Sequence, residues 1–398
     1  MDYQSLGASS QKEDVHAAIK DSGSGGGLFP GAFCKVIPDM LTGDDESCLI
    51  FHADGAGTKS IIAYLRWRES GDPAVFQGIS QDALVMNIDD IACTGLVDSF
   101  IVSNTIGRNK FLVDANVIAA VIRGYETMAA MLEPHGIHVH SCGGETADVG
   151  DLVRTIIIDS TVMSRGKRSD IIDASNVVPG DVMVGLSSTG QASYEPMANS
   201  GISSNGITLA RHAVLEHGYA ETYPEILDPH VDASMAYQGR FHLDDPLPGE
   251  DMTIADALLS PTRTYTPILK RLLYGDDAST RIQDVVHGII HVTGGGQTKC
   301  LNFGKGIRYV KDDLFETPRV FRLIKEEGNV EWEEMYRVFN MGHRMEIACT
   351  PDFAPKVIAA SKSFGVEAKV IGRVEESTNP GKNELVISSP AGEISYGP

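Results

Sequence analysis

Three apolar segments of this 398-residue chain each run directly into a glycine-rich turn. The turns are DGAGTK at 54–59, GGETAD at 143–148 and the glycines of HVTGGG at 291–296. A short apolar segment that ends in glycine is typical of a buried strand. Glycine lets backbone N–H groups approach an anion closely. The pattern therefore predicts a strand-based fold with anion-binding turns at the strand ends.

Strand-like and helix-like segments alternate along most of the chain, which predicts an α/β or α+β fold. We expect strands at 48–53, 137–142, 155–163, 182–186, 289–292 and 368–374, and helices at 79–94, 116–132, 205–217, 331–339 and 353–364. Polar residues leading to Pro179-Gly180-Asp181 precede a new strand, which predicts two domains, 1–175 and 176–398. Residues 219–253, rich in Pro, Asp and His, are predicted to be a long insertion or surface excursion.

Charge and composition argue against several classes of protein, including nucleic-acid-binding and membrane-spanning proteins. Asp and Glu number 54 against 33 Lys and Arg, for a formal net charge of −21. Such a field opposes binding of nucleic acid or anionic lipid by bulk charge. No segment approaches the ~20 apolar residues that a transmembrane helix needs. Six scattered cysteines and an acidic start without an apolar core predict reduced thiols and a cytoplasmic protein.

The turn at 54–59 is the first candidate site. Asp54, Gly55, Gly57 and Thr58 follow a strand, and Lys59 adds a positive charge suited to phosphate. The spacing differs from the GxxxxGK[ST] phosphate loop. An ordinary strand–turn–helix junction remains the alternative.

Carboxylates form the second candidate site. Asp82 and Asp89 share one face of the helix predicted at 79–94, with Asp90 beside them among apolar residues. Glu145 follows Gly143 and Gly144 at the end of another strand. Buried carboxylates require cations, and Mg²⁺ with phosphates is a common solution. The alternatives are a solvated helix face and, for the His138, His140 and Cys142 strand, packing or zinc.

Glycine-rich segments also begin the chain and recur in its second half. Residues 23–33, with Gly25, Gly26 and Gly27, predict either a lid over phosphates or an unstructured arm. The second half offers three further anion-binding candidates, which are Asn205 in SSNG, Thr262-Arg263 in SPTRTY, and His291 with Gly294, Gly295 and Gly296.

The order of these motifs resembles that of the aminoimidazole ribonucleotide (AIR) synthetase family. The matching segments are DGAGTK, the Asp-Asp helix, GGETAD, SSNG, SPTRTY, HVTGGG and GNVEWEEMYRVFNMG at 328–342. The resemblance covers residues 20–375, and the last segment is its most specific part. It implies two α/β domains, with the N-terminal mixed sheet pairing in a homodimer. The implied reaction is ATP-dependent ring closure of formylglycinamidine ribonucleotide, through an iminophosphate, in purine biosynthesis.

The resemblance also implies roles for individual residues. Asp54, Asp89, Asp90 and Glu145 would handle Mg²⁺ and phosphate, and His291, Lys59 and Asp54 would be catalytic. His291 is expected to transfer a proton or to hold the transferred phosphoryl group. ATP and phosphate would contact the glycine turns together with Thr58, Asn205, Thr262 and Arg263.

Several positions depart from the family pattern. Asp89 stands where the family has Asn, Gln297–Cys300 replace an aromatic and Asn-containing stretch, and His343-Arg344 replace a glycine-containing one. Residues 191–202 and 219–253 are longer than usual. The alternatives are another ATP-dependent kinase or synthetase of the superfamily, and a non-catalytic nucleotide-binding homologue.

Overall fold

A computed structural model describes residues 3–9, 18, 27–275 and 281–397. Residues up to 167 form strands β1 (Val36–Pro38), β2 (Ser47–Gly55), β3 (Ser99–Arg108), β4 (His138–Asp148) and β5 (Ile156–Lys167), and helices α1 (Lys59–Ser70), α2 (Phe76–Ala92) and α3 (Ala115–Leu132). The sheet order is β1-β2-β5-β3-β4. Only β3 and β4 pair in parallel among these strands, so the sheet is mixed, as predicted.

Helix α2 lies at the centre of the molecule. Every residue from Asp82 to Ala92 is buried. A helix that is apolar on one face only would leave the other face in water, whereas one buried all round needs partners on every side. One side of α2 packs on β2 and β5, and other sides contact α1, α3 and the second domain's helix that begins at Thr266. This position explains why its three aspartates are buried.

In the part of the chain that the structure describes, the second face of the first sheet is open and partly apolar. Phe51 on β2, Met163 on β5 and Ile101 on β3 stand in one row of the ladder. Phe51 is 55% exposed, and Ile101 and the nearby Ile157 are each 39% exposed. Large apolar side chains grouped in this way on an open sheet are typical of an interaction surface.

The second half of the chain forms a larger mixed sheet in the order β12-β11-β8-β10-β6-β9-β7. Its strands are β6 (Val182–Ser187), β7 (Val286–His291), β8 (Ile307–Lys311), β9 (His343–Cys349), β10 (Ala368–Glu376), β11 (Glu384–Ser389) and β12 (Gly392–Tyr396). Its helices are α4 (Ile207–Val214), α5 (Gly218–Thr222), α6 (Ile254–Leu259), α7 (Thr266–Tyr274), α8 (Arg319–Gly328), α9 (Trp332–Val338) and α10 (Ala354–Lys362), with a 3-10 helix at Gly296–Asn302.

The sequence-based elements mostly coincide with these bounds, with two corrections. The helix predicted at 205–217 ends at Val214, because Leu215 is extended, and Gly218 begins α5 instead of ending a helix. The segment 219–253 is not a simple surface excursion, since Tyr237 and Leu243 are fully buried in the core. Among the described residues no helix is both long and apolar enough to cross a membrane.

Candidate functional site

The three aspartates of α2 each accept hydrogen bonds from the second domain. Asp82 Oδ1 accepts from Thr262 N at 2.7 Å, from Thr262 Oγ1 at 2.6 Å and from Lys59 Nζ at 3.0 Å. Lys59 also donates to Ser260 O at 2.6 Å and is 0% exposed. The polar groups of Lys59 and Thr262 are therefore hydrogen-bonded within the domain contact. They are not available for the phosphate contacts that the sequence predicts.

Asp89 joins α2 to the beginning of α7. Its carboxylate accepts from Thr264 Oγ1 at 2.6 Å, Tyr265 N at 2.8 Å and Thr266 Oγ1 at 2.7 Å. Burial raises the pKa of Asp89, and these hydrogen bonds oppose the increase. A carboxylate whose two oxygens are occupied in this way stabilises a helix N-terminus. The predicted metal role of Asp89 is therefore replaced by a structural one.

Asp90 forms a linear chain of contacts with His291 and Arg344. His291 Nδ1 lies 2.6 Å from Asp90 Oδ1, and Arg344 Nε donates to His291 Nε2 at 2.9 Å. Because Nε2 accepts, the imidazole proton is on Nδ1 and is donated to Asp90. Burial, followed by the charge of Arg344, lowers the pKa of His291, so the ring is neutral.

This geometry corrects the predicted role of His291. The side chain is 0% exposed and both ring nitrogens have partners. It has no nitrogen available to transfer a proton to a substrate or to hold a phosphoryl group. Its contacts instead fix the orientation of Asp90. Although burial alone would raise the pKa of Asp90, the hydrogen bond from His291 and the nearby His52 and Lys299 hold it below its ordinary value.

His52 is a site residue that the sequence analysis missed. Its Nε2 lies 3.4 Å from Asp90 Oδ2, and its Nδ1 lies 3.0 Å from Asn87 Oδ1. Asn87 Nδ2 donates to Asp54 O at 3.0 Å, which links the helix to the first glycine turn. His52 and Asp54 are two residues apart on one strand, and this shared-face spacing was the available signal.

Asp54 and Asp159 lie on neighbouring strands at the end of β2. Asp159 stands opposite Gly55 in the ladder, and a Cβ at Gly55 would lie 1.7 Å from Asp159 Oδ1. Position 55 therefore requires glycine, because any side chain there would collide with the Asp159 carboxylate. Burial raises the pKa of Asp159, and the negative charge of Asp54 adds to the increase. Successive residues of a strand point to opposite faces, so Asp54, on the same face as His52, and Asp159, opposite Gly55, lie on opposite faces of the sheet.

The first glycine turn contacts the beginning of α4. Thr58 Oγ1 lies 2.9 Å from Thr208 Oγ1. Gly206 precedes the helix with φ 77°, and the buried Asn205 Oδ1 has no hydrogen-bond partner among the described residues. The N–H groups of the first turn of a helix have no carbonyl partner within the helix, and they attract anions. The fold thus brings DGAGTK and SSNG together, and anion binding by these two turns stays a prediction.

Arg263 does not belong to this surface. Its guanidinium donates to Glu195 at 2.5 and 2.9 Å and to the carbonyls of Ser187, Thr189 and Gly190. With 3% exposure it has no donor left for a ligand. The predicted phosphate contact of Arg263 is replaced by a role in holding the loop after β6.

The third glycine turn follows β7 beside Asp90. Gly295 and Gly296 are buried with φ 94° and 52°, whereas Gly294 is exposed. The next cation along the chain, Lys299, acts electrostatically on Asp90 and lies 5.4 Å from the centre of the Phe33 ring. Lys299 is half-buried and was also missed as a site residue.

The described part of the glycine-rich start lies against the same region. Phe33 stacks on Phe303 of the second domain with centroids 5.4 Å apart. A Cβ at Gly27 would lie 2.9 Å from Val36 O, so the chain returns closely along β1. The predictions for Gly25 and Gly26 fall outside the described residues.

Glu145, Gly143 and Gly144 lie apart from the other motifs. They are exposed on β4, the edge strand, where Glu145 pairs with Thr105, Thr105 with Asp159 and Asp159 with Gly55. Three strand spacings place Glu145 about 14 Å from Gly55. Within the described ranges, no three His, Cys, Asp or Glu side chains lie close enough together to hold a metal ion. This finding also applies to His138, His140 and Cys142, for which zinc was the alternative.

Comparison with known proteins identifies both halves of the chain. Residues 34–165 match the N-terminal domain of AIR synthase related proteins, and residues 178–381 match their C-terminal domain. A phosphoribosylformylglycinamidine cyclo-ligase from Methanococcus vannielii is 30% identical over 333 residues, 83% of this chain and 78% of that protein. One from Methanothermobacter thermautotrophicus is 30% identical over 86% of both chains.

Solved structures share the fold at low identity. A structure described as AaThiL complexed with AMPPCP and TMP aligns with a TM-score of 0.54 at 11% identity, over 94% of this chain and 93% of that one. A HypE–HypF complex aligns with a TM-score of 0.52 at 14% identity, over 97% and 98%. The two domains, their mixed sheets and the matched relatives lead to one conclusion: the chain belongs to the AIR synthase family, whose curated members with similar sequences are phosphoribosylformylglycinamidine cyclo-ligases.

Proposed function

We propose that this chain is a phosphoribosylformylglycinamidine cyclo-ligase, which closes the imidazole ring of AIR and converts ATP to ADP and phosphate. The observation that carries the proposal is the convergence of DGAGTK, Asp90, SSNG and the third glycine turn at the domain contact, in a chain matched along 34–165 and 178–381 by this family. The curated relatives carry that name over 83–86% of the chain.

The chemistry requires an activated oxygen. A formamide oxygen is a poor leaving group, so it first attacks the γ-phosphorus of ATP and ADP leaves. The amidine nitrogen then attacks the iminophosphate carbon, its proton is lost, and phosphate departs with the C–O bonding electrons. Catalysis consists mainly of holding two anionic molecules in line and stabilising the developing charge.

Residues at the contact between the two domains can supply those functions. We assign phosphate contacts to the turn at Gly294, to the N-terminus of α4 with Asn205 and Thr58, and to Lys299. Lys299 is the half-buried cation beside Asp90, whereas Lys59 is fully buried. His291 and Arg344 act as positioning residues for Asp90.

We further propose that the nucleotide is bound with Mg²⁺. When bound to phosphates, this cation neutralises charge that develops during transfer. Asp54 fits as a holding residue, because it lies half-buried at the first glycine turn, next to the phosphate contacts assigned above. Magnesium bound to phosphates needs only one or two carboxylates, so three converging side chains are not required. Glu145, on the edge strand, stays a prediction.

A homodimer formed through the open face of the first sheet is part of the proposal. In a monomer, the apolar row of Phe51, Met163 and Ile101 would stay in contact with water. Burying apolar area in an interface stabilises it by about 25 cal/mol per Å². A cytoplasmic site of action is supported by the six cysteines, which are all unpaired. We also place the domain boundary at 175/176, between β5 and β6.

The test measures ADP and AIR together in the purified protein with Mg-ATP and formylglycinamidine ribonucleotide. Equal amounts of both products, formed only with that substrate, are expected. ATP binding without any turnover would indicate a non-catalytic homologue. ADP released with a different phosphoryl acceptor would indicate another superfamily enzyme.

A further inference from the structure

A second set of buried charged and polar side chains lies in the second domain, away from α2. We name it the Lys311 cluster, and its members are Lys311 on β8, His343 and Glu346 on β9, and Gln297 in the 3-10 helix. All four residues are 0% exposed. The proposed reaction uses none of them, and the family resemblance singled out Gln297 and His343 as departures.

The ion pair of the cluster crosses the sheet. Lys311 Nζ lies 2.5 Å from Glu346 Oε1, although β10 and β6 separate their strands. His343 Nε2 donates to the same oxygen at 2.8 Å. Burial lowers the pKa of His343, so the ring is neutral and Lys311 is the positive partner. Buried ion pairs rarely add net stability compared with apolar side chains, so stability alone does not account for this one.

The remaining donors of Lys311 are directed at the third glycine turn. Its Nζ donates to Gln297 O at 2.9 Å and to Gln297 Oε1 at 3.0 Å. Gln297 follows Gly296 directly in the chain, and a Cβ at Gly296 would lie 2.6 Å from Tyr336 O. Lys311 therefore holds the residue that ends this turn through both its backbone and its side chain.

Gln297 extends the same chain of contacts to a second motif. Its Nε2 donates to Asn340 O at 2.5 Å. Asn340 Nδ2 donates to Gly201 O at 2.8 Å, and Asn340 Oδ1 accepts from Ser188 Oγ at 3.0 Å. Gly201 lies in the segment that leads into SSNG. A single buried cation thus links the glycine turn after β7 to the turn before α4.

We propose that Lys311, Glu346 and Gln297 are positioning residues that fix the spacing between these two anion-binding turns. The inference rests on the proposed function, because it assumes that both turns contact the phosphates of one reaction. Misplacement of a reacting group by about 1 Å can reduce a rate about 100-fold. The cluster acts through the turns and touches no substrate itself.

The test compares Lys311→Met with the double variant Lys311→Met/Glu346→Leu. The single variant leaves a carboxylate buried without its cation and is expected to lower the Tm strongly. The double variant removes both charges and is expected to keep a Tm near wild type, with kcat reduced about 10- to 100-fold. Amide hydrogen exchange in residues 294–300 should become faster, and exchange in α3 should not change.

Lys369→Met is the matched control. Lys369 lies on β10 of the same sheet and pairs with Asp313 at 2.7 Å on the surface. We expect wild-type kcat and exchange in this variant. If the double variant does not fold, Gln297→Met gives the same test with the ion pair intact.

Two results separate the possible failures. A stable double variant with wild-type kcat and wild-type exchange at 294–300 would overturn the positioning role. If the wild-type protein makes no AIR, the proposed function fails, and the exchange measurement still decides whether the cluster holds the turn.

Discussion

Lys59 and Lys299 both lie near the contact between the two domains, but Lys59 is fully buried and Lys299 is half-buried. Substitution of each lysine is therefore expected to have a different effect. Lys59→Met removes the cation from Asp82 in a fully buried pair. An uncompensated buried carboxylate costs about 3–5 kcal/mol of unfolding free energy. Chemical denaturation measures this loss, and an unchanged unfolding midpoint would contradict the structural assignment of Lys59.

Lys299→Met is the counterpart of that variant. Lys299 is half-buried, so the loss of its contact with the Phe33 ring costs under about 1 kcal/mol. Loss of one charged phosphate contact is expected to raise the KM for ATP about 10-fold. Lys299→Arg should restore most of the affinity. Steady-state kinetics with unchanged KM would remove Lys299 from the site.

Buried histidines make the fold sensitive to acid. Burial, with the charge of Arg211, lowers the pKa of His212 to about 3, and the Nδ1 of His212 accepts a hydrogen bond from Tyr237 N at 3.1 Å. The unfolded chain binds the proton near pH 6.5 and the folded chain does not, so stability falls as pH decreases below about 6.5. The slope reaches about 1.4 kcal/mol per pH unit for each such group.

The variant His212→Asn tests this linkage, since the Asn Oδ1 can accept from Tyr237 N. We expect a shallower loss of unfolding free energy between pH 7 and pH 5 than in the wild-type protein. His230→Asn is the control, because the His230 side chain is 92% exposed. Equal slopes in all three proteins would refute the assignment of His212.

At the scale of the element, the third glycine turn depends on the backbone of α9 and the residues after it. Gly296 has φ 52°, and a Cβ there would lie 2.6 Å from Tyr336 O and 2.7 Å from Phe339 O. Gly296→Ala is therefore expected to cost about 1–3 kcal/mol and to displace the turn. Gly294→Ala is the control for stability, since a Cβ at Gly294 meets no atom within 4 Å. Thermal unfolding of the two variants compares the costs.

At the scale of the whole molecule, the open sheet face predicts the oligomeric state. Phe51→Asp places a charge in the centre of the apolar row and is expected to convert a dimer to a monomer. Met197→Asp is the control, because Met197 is an exposed apolar residue of the second domain with 62% exposure. Sedimentation velocity distinguishes the species. A wild-type monomer, or a Phe51→Asp dimer, would reject this interface.

The sequence by itself determined the element types, the two-domain order and the family. The spacing of apolar residues indicates which face of a helix or strand is buried, and a glycine after an apolar segment indicates where a strand ends. Both signals are local in the sequence. It also singled out Asp54, Asp90 and Asn205, since each follows or lies within a recognisable motif. Local sequence could not reveal which of these polar groups face one another across the domain contact.

Tertiary structure alone decided which charges are free. Lys59 and Arg263 carry the positive charge that a phosphate contact needs. In the interior, however, Asp82 pairs with Lys59 and Glu195 pairs with Arg263, each from a distant segment of the chain. His52 and Lys299 have no motif of their own and lie near Asp90 only because strand β2 and the segment after the third glycine turn bring them there. A buried charge requires a partner wherever the fold supplies one, and that partner can be 200 residues away, as with Asp90 and His291 at a separation of 201.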